Sequence, residues 1–147
     1  MPRSQIHDTP SRLTGSCLCG QIAFQVAGPL SDPLNCHCTM CRKAHGAAFR
    51  SRAAIMSADF RWLQGERLVK RYESSRGEYR TFCSHCGSNL ITEFDSNRDV
   101  LGLPLGVLDD DPGVRPESHV FVGSKAPWFK ITDDLPQWQA LPGPDGV

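Results

Sequence analysis

The sequence lacks any imbalance of charge. Its 147 residues carry sixteen Lys and Arg against sixteen Asp and Glu, without the basic excess that a general nucleic-acid binder concentrates on one face. Long apolar runs are missing too; none approaches the ~18 residues of a membrane-spanning helix. The opening MPRSQIHDTPSR has no apolar centre of the kind a secretory signal needs. These absences lead to the expectation of a cytoplasmic protein with neither nucleic acid nor membrane as a partner. There is no internal repeat, and the length suits one domain with a modest core. The acidic run Asp109-Asp110-Asp111-Pro112-Gly113 lacks the spacing of a calcium loop and reads as a solvated turn.

Helical periodicity is equally scarce. Ile22, Phe24 and Val26 alternate with polar or small neighbours, the period of a half-buried strand, and Gly28-Pro29 ends it. Ser31-Asp32-Pro33 reads as a turn, and Arg42 to Gly46 as one helical turn stopped by glycine. Ala47, Phe49, Ser51, Ala53 and Ile55 share one strand face that small side chains open to a ligand or to tight packing. Ser57 is the expected N-cap of a short turn. Further strands are expected at Leu68 to Tyr72, Glu78 to Phe82, Asn89 to Phe94, Val100 to Val107 and His119 to Val122, with Pro104 marking an edge or bulge. The segment from Lys125 through Trp138 reads as extended chain over the sheet. The expectation is therefore a mainly β protein of eight or nine short strands with very little helix. Residues 1–11 and 139–147 are expected as flexible tails around a single zinc-binding β domain at 12–138.

What the chain does have is cysteine. The seven are Cys17, Cys19, Cys36, Cys38, Cys41, Cys83 and Cys86. An odd number in a reducing compartment points to metal ligation or catalysis before disulfides. Cys36-His37-Cys38-Thr39-Met40-Cys41 places three thiols in one short loop, a donor set suited to Zn²⁺. Three ligands on a tetrahedral ion leave one position for water or a substrate atom. Cys17-x-Cys19 and Cys83-x-x-Cys86 are two-ligand loops that complete a four-thiolate zinc only when joined, and such a site contributes its binding free energy to folding. A rival grouping joins Cys38 and Cys41 to Cys83 and Cys86 as in a zinc ribbon, leaving Cys17, Cys19 and Cys36 as a looser set. It divides ligands already gathered in one loop.

Zn²⁺ with three thiolates is net −1. That is electron-rich for acidifying water, yet suited to binding a thiolate or alkoxide oxygen. His37, between ligands, is a candidate proton carrier or simply an exposed neighbour. His45, His85 and His119 read as incidental, and His7 as idle. Arg42, Lys43, Arg50 and Arg52 are candidates to neutralise substrate carboxylates, or ordinary solvated charges.

The stretches G-S-C-L-C-G-Q-I, C-H-C-T-M-C-R-K and F-C-S-H-C-G-S-N-L, with the closing K-A-P-W-F-K-I-T-D-D-L-P-Q-W, resemble the glutathione-dependent formaldehyde-activating enzyme family, which also contains centromere protein V. The match runs from about Gly15 to Trp138. The resemblance implies a zinc-stabilised β-tent of short antiparallel strands holding two Zn²⁺ per chain. It implies a structural zinc on Cys17, Cys19, Cys83 and Cys86 and a catalytic zinc on Cys36, Cys38 and Cys41. It implies a carbon–sulfur lyase resembling S-(hydroxymethyl)glutathione synthase, with a small thiol such as glutathione as substrate and formaldehyde as the other reactant. A non-catalytic zinc-stabilised binding module is the alternative, against which the intact three-cysteine loop and neutral charge weigh. A thiol-redox enzyme needs a cysteine free of metal, and a division into four and three leaves none.

Overall fold

The structure, a computed structural model, describes residues 12–142. The expected tail at 1–11 lies outside them, as do residues 143–147 of the second. Ten strands and one two-turn helix make the described chain mainly β. It divides into two compact units. One comprises the chain up to Ser31 together with Ala53–Val114; the other comprises Asp32–Arg52 together with the chain from Arg115 onward.

In the first unit, β1 (Leu13–Ser16), β2 (Ala23–Val26) and β5 (Phe60–Gln64) form a three-stranded antiparallel sheet. The alternation in β2 has its expected consequence: Ile22 and Phe24 are fully buried and Val26 nearly so. Gly15 lies opposite Phe24 in the ladder. A Cβ there would stand 2.1 Å from the Phe24 ring, so the ring occupies the space that the glycine leaves. Phe60 and Trp62 complete an aromatic cluster with Phe24, the two partner rings meeting edge-on at 4.8 Å. Strand β5 is a correction to the sequence reading, which ended this stretch at the turn. Ser57 is also corrected. Met56 holds the N-cap position, without a side-chain hydrogen bond, while the Ser57 N–H donates to the Asp99 carbonyl.

A meander of β6 (Val69–Ser75), β7 (Glu78–Cys83), β8 (Asn89–Phe94) and β9 (Val100–Pro104) supplies the rest of this unit. Pro104 closes β9, and a short 3₁₀ turn replaces strand over Leu105–Val107. Leu90, Ile91, Leu101 and Leu103 join Leu13, Ile22, Phe24, Val26 and Ile55 in one core. Each such side chain contributes roughly 1.5–3 kcal/mol on full burial. The acidic turn serves the fold: Asp110 accepts from the Thr14 N–H and hydroxyl, and Asp109 from the Ser16 hydroxyl.

In the second unit, β3 (Ser31–Cys36) runs parallel to the two-residue β10 (His119–Val120). The stretch expected as a turn at Ser31-Asp32-Pro33 is thus the start of a strand. Helix α1 (Thr39–His45) begins three residues earlier than the sequence suggested. The Cys38 sulfur accepts from the Cys41 N–H at 3.3 Å, and Gly46 closes the helix at φ 58°. Strand β4 (Arg50–Met56) carries the chain from this unit into the first.

Candidate metal centres

The sulfurs of Cys17, Cys19, Cys83 and Cys86 all lie within 4.8 Å of one another in the first unit, and those of Cys36, Cys38 and Cys41 do so in the second. The ribbon-like grouping is not the one the chain adopts. All seven cysteines are free thiols. Each cluster has a local cause.

For the four-sulfur set, two tight turns bring the ligands together. Gly20 (φ 81°) bonds back to the Cys17 carbonyl, and Gly87 (φ 82°) to the Cys83 carbonyl. These positive φ angles suit glycine, which has no Cβ to clash. The N–H groups of His85 and Cys86 point at the Cys83 sulfur, both at 3.4 Å, and the Ile22 N–H points at Cys17 at 3.3 Å. Burial works to raise the Cys17 thiol, but the Ile22 N–H and the neighbouring sulfurs leave it below its ordinary value. The Ser88 side chain, then its backbone, lowers the Cys86 thiol to about 5. Ser88 also accepts from the Leu18 N–H at 2.8 Å and so ties the two loops together. The Cys17–Cys19 and Cys19–Cys83 sulfurs are 3.5 and 3.9 Å apart. A tetrahedron of sulfurs at about 2.3 Å from a zinc ion has edges of about 3.8 Å. The residues present fit that ion.

For the three-sulfur set, β3 ends at Cys36, Cys38 caps α1 and Cys41 sits in its first turn. Cys36 and Cys41 are buried; Cys38 is half-buried. The Cys38 and Cys41 sulfurs, together with burial, push the Cys36 thiol far above its ordinary value. Three sulfurs gathered this closely are a soft donor set, and a divalent, thiophilic ion is the group it fits.

The other polar candidates separate clearly. His37 is fully buried, not an exposed neighbour. Its nitrogens are absent from the sulfur group, and Nε2 lies 2.8 Å from Nδ1 of His119. Burial, then the charges of His119, Lys125 and Arg42, pushes His37 down to about 4. Its ring packs 5.0 Å from Phe49 and 6.3 Å from Phe129. His119, read as incidental from sequence, is also buried, and its Nε2 meets the Asp133 carboxylate at 3.0 Å. That bond holds Asp133 below the usual carboxylate range. Sequence reasoning missed Asp133 as a site residue; its only signal was a place in the D-D-L-P closing pattern. Arg42 donates from Nε to the Ser124 carbonyl, and the Ser124 hydroxyl donates to the His37 carbonyl. Arg50 is buried, Lys43 and His45 lie in the last turn of α1, and Arg52 lies in a surface recess beside Glu117. His85 is exposed, and His7 lies outside the described residues.

Among the described residues, no helix is long and apolar enough to cross a membrane. The sequence profile of the family described as glutathione-dependent formaldehyde-activating enzyme matches residues 12–124. A Halomonas elongata protein named "Putative glutathione-dependent formaldehyde-activating enzyme" is 34% identical over 128 residues, covering 81% of this chain and 80% of that protein. A crystal structure of a Rhodobacter sphaeroides protein matches with a TM-score of 0.56 at 24% identity, covering 70% of this chain and 97% of the other. That last likeness concerns the fold alone.

Proposed function

The chain belongs to the glutathione-dependent formaldehyde-activating enzyme family, and from that membership we propose that it joins formaldehyde to the thiol of glutathione as a zinc-dependent carbon–sulfur lyase in the cytoplasm. In this reading residues 12–138 are one zinc-binding domain. Cys17, Cys19, Cys83 and Cys86 hold a structural zinc; Cys36, Cys38 and Cys41 hold the catalytic one. The observation that carries the proposal is the second set: three sulfurs, one short loop and, among the described residues, no fourth protein ligand within the group.

The reaction balances without a redox partner. The glutathione sulfur forms a bond to the carbonyl carbon as the C=O π pair moves onto oxygen. The thiol proton leaves sulfur and oxygen takes one up, giving S-(hydroxymethyl)glutathione. Zinc on the three thiolates would supply Lewis acidity and one exchangeable position. The chain's own residues do the holding. Burial of Cys36 and Cys41 fixes two sulfurs, while Cys38 stays half-buried. The Ser124 hydroxyl, bonded to the His37 carbonyl, fixes the loop from its middle.

The test is exchange NMR on glutathione mixed with formaldehyde, with and without zinc-loaded protein, so that the spontaneous reaction is subtracted. Acceleration that Cys38→Ser abolishes is the expected result. No acceleration from protein carrying two zincs would remove the reading.

A further inference from the structure

Alternation along β3 divides its residues into two faces. Leu34 and Cys36 pack with Cys41 and Val120. Asn35 and His37 turn the other way: Asn35 accepts from the Ser51 hydroxyl at 2.6 Å, and His37 meets His119. The parallel register agrees, pairing Val120 with Cys36 and His119 with Asn35. Behind the thiol loop there is thus a chain of three polar groups, Asp133–His119–His37.

The donors in that chain are determined by its outer end. An ionised Asp133 only accepts, so His119 Nε2 carries the hydrogen. Where the His119 ring holds that one hydrogen alone, its Nδ1 is an acceptor and His37 Nε2 donates to it. The remaining nitrogen, His37 Nδ1, is a bare acceptor, buried and without a hydrogen-bond partner. Such an atom costs about 1–3 kcal/mol. A phenyl ring in the same place, beside Phe49 and Phe129, would remove that orphan but leave the buried His119 Nδ1 without its donor. The bond to His119 is one reason for an imidazole here.

Position gives another. His37 is the residue between Cys36 and Cys38, and it is held at three points by the C-terminal segment. Its N–H donates to the Val120 carbonyl, its carbonyl accepts from the Ser124 hydroxyl, and its ring bonds to His119. We propose that Asp133, His119 and Ser124 are positioning residues for the three-thiol centre, acting through His37 to set where the Cys36 and Cys38 sulfurs stand. This rests on the function proposed above only for its kinetic consequence.

The test begins with Asp133→Ala. The Asp133 side chain is 46% exposed, so its loss should leave the fold and the metal content intact. With cadmium-113 in both centres, Asp133→Ala should shift the resonance of the three-sulfur site and leave the four-sulfur resonance in place. Nitrogen-15 NMR should show His37 as the Nε2–H tautomer in the parent and mixed in the variant. Turnover should fall roughly tenfold in kcat with KM little changed, the lower end of what supporting partners of metal ligands cost. Asp133→Asn, which keeps an acceptor for His119, should recover part of the loss. Ser124→Ala should shift the same cadmium resonance without disturbing the tautomer. An unmoved three-sulfur resonance in both alanine variants, or a parent His37 protonated on Nδ1, overturns the proposal. If the parent protein does not turn over glutathione and formaldehyde, the functional reading fails, and the cadmium and nitrogen spectra still decide this one.

Discussion

The two thiol sets solve opposite problems. In the first unit, Cys17 and Cys19 come from the turn before β2, and Cys83 and Cys86 from the turn before β8. They meet across more than sixty residues of chain, and Cys17 and Cys83 belong to the main core. In the second unit, Cys36, Cys38 and Cys41 come from one loop, and the buried cluster around them adds only Leu34 and Val120. A metal at the first set closes a long loop and fastens the core. A metal at the second joins groups that the chain already holds close together. The first set should therefore govern whether the unit folds, the second what the protein does.

The comparison breaks most sharply on single ligands. Cys17→Ser should abolish cooperative melting, because the binding free energy of a structural zinc, about 10–16 kcal/mol in small domains, rivals or exceeds a domain's whole stability of about 5–15 kcal/mol. Cys41→Ser should melt close to the parent and carry one zinc in place of two, with no turnover. Metal analysis and calorimetry on the two variants decide it. Equal loss of fold in both would mean that the second set is structural as well.

Metal withdrawal sharpens the same contrast with a smaller effect. A chelator can attack a three-ligand ion through its exchangeable position, whereas the four-sulfur set offers a closed shell with Cys83 fully buried and Cys17 nearly so. The first equivalent of zinc should leave with circular dichroism unchanged, and the second only with unfolding. Acid acts in the same direction, since each thiolate must take a proton to release the ion. Metal-dependent stability should be present at neutral pH and lost as pH falls. Release of both equivalents in one step would contradict the division of roles.

How much of this was legible in the sequence follows from the range of each interaction. The β2 strand was readable because Ile22, Phe24 and Val26 repeat within five residues. The grouping of the thiols was favoured because ligand spacing is local. The strand at Ser31–Cys36 was not readable. Asp32 at φ 49° and Pro33 carry turn chemistry, and the pairing comes from distant chain, where the Glu117 N–H bonds to Pro33 and the Asn35 N–H to Ser118. Phe60 and Trp62 declare a strand only once Phe24 lies beneath them. His37, His119 and Asp133 are separated by 82 and 14 positions. No spacing rule links them, and the meaning of each depends on the other two.

Two glycines carry the comparison down to the backbone. Gly65 (φ 75°) leads into β6 beside the first cysteine loop, and Gly46 (φ 58°) ends the helix that carries Cys41. Both hold the left-handed conformation, so alanine at either should cost about 1–2 kcal/mol of backbone strain. Their surroundings differ. A Cβ on Gly46 meets nothing within 4 Å, whereas a Cβ on Gly65 would stand 2.1 Å from the Gln21 carbonyl oxygen, a backbone atom with little freedom to yield. Gly65→Ala should therefore add an overpacking cost of about 1–3 kcal/mol to the strain, while Gly46→Ala should show the strain alone. Denaturant melts of the two variants measure the difference directly. If the midpoints fall together, the turn around Cys17 and Cys19 is softer than the core beneath it. The first set would then owe its rigidity to bound metal, with the surrounding backbone following.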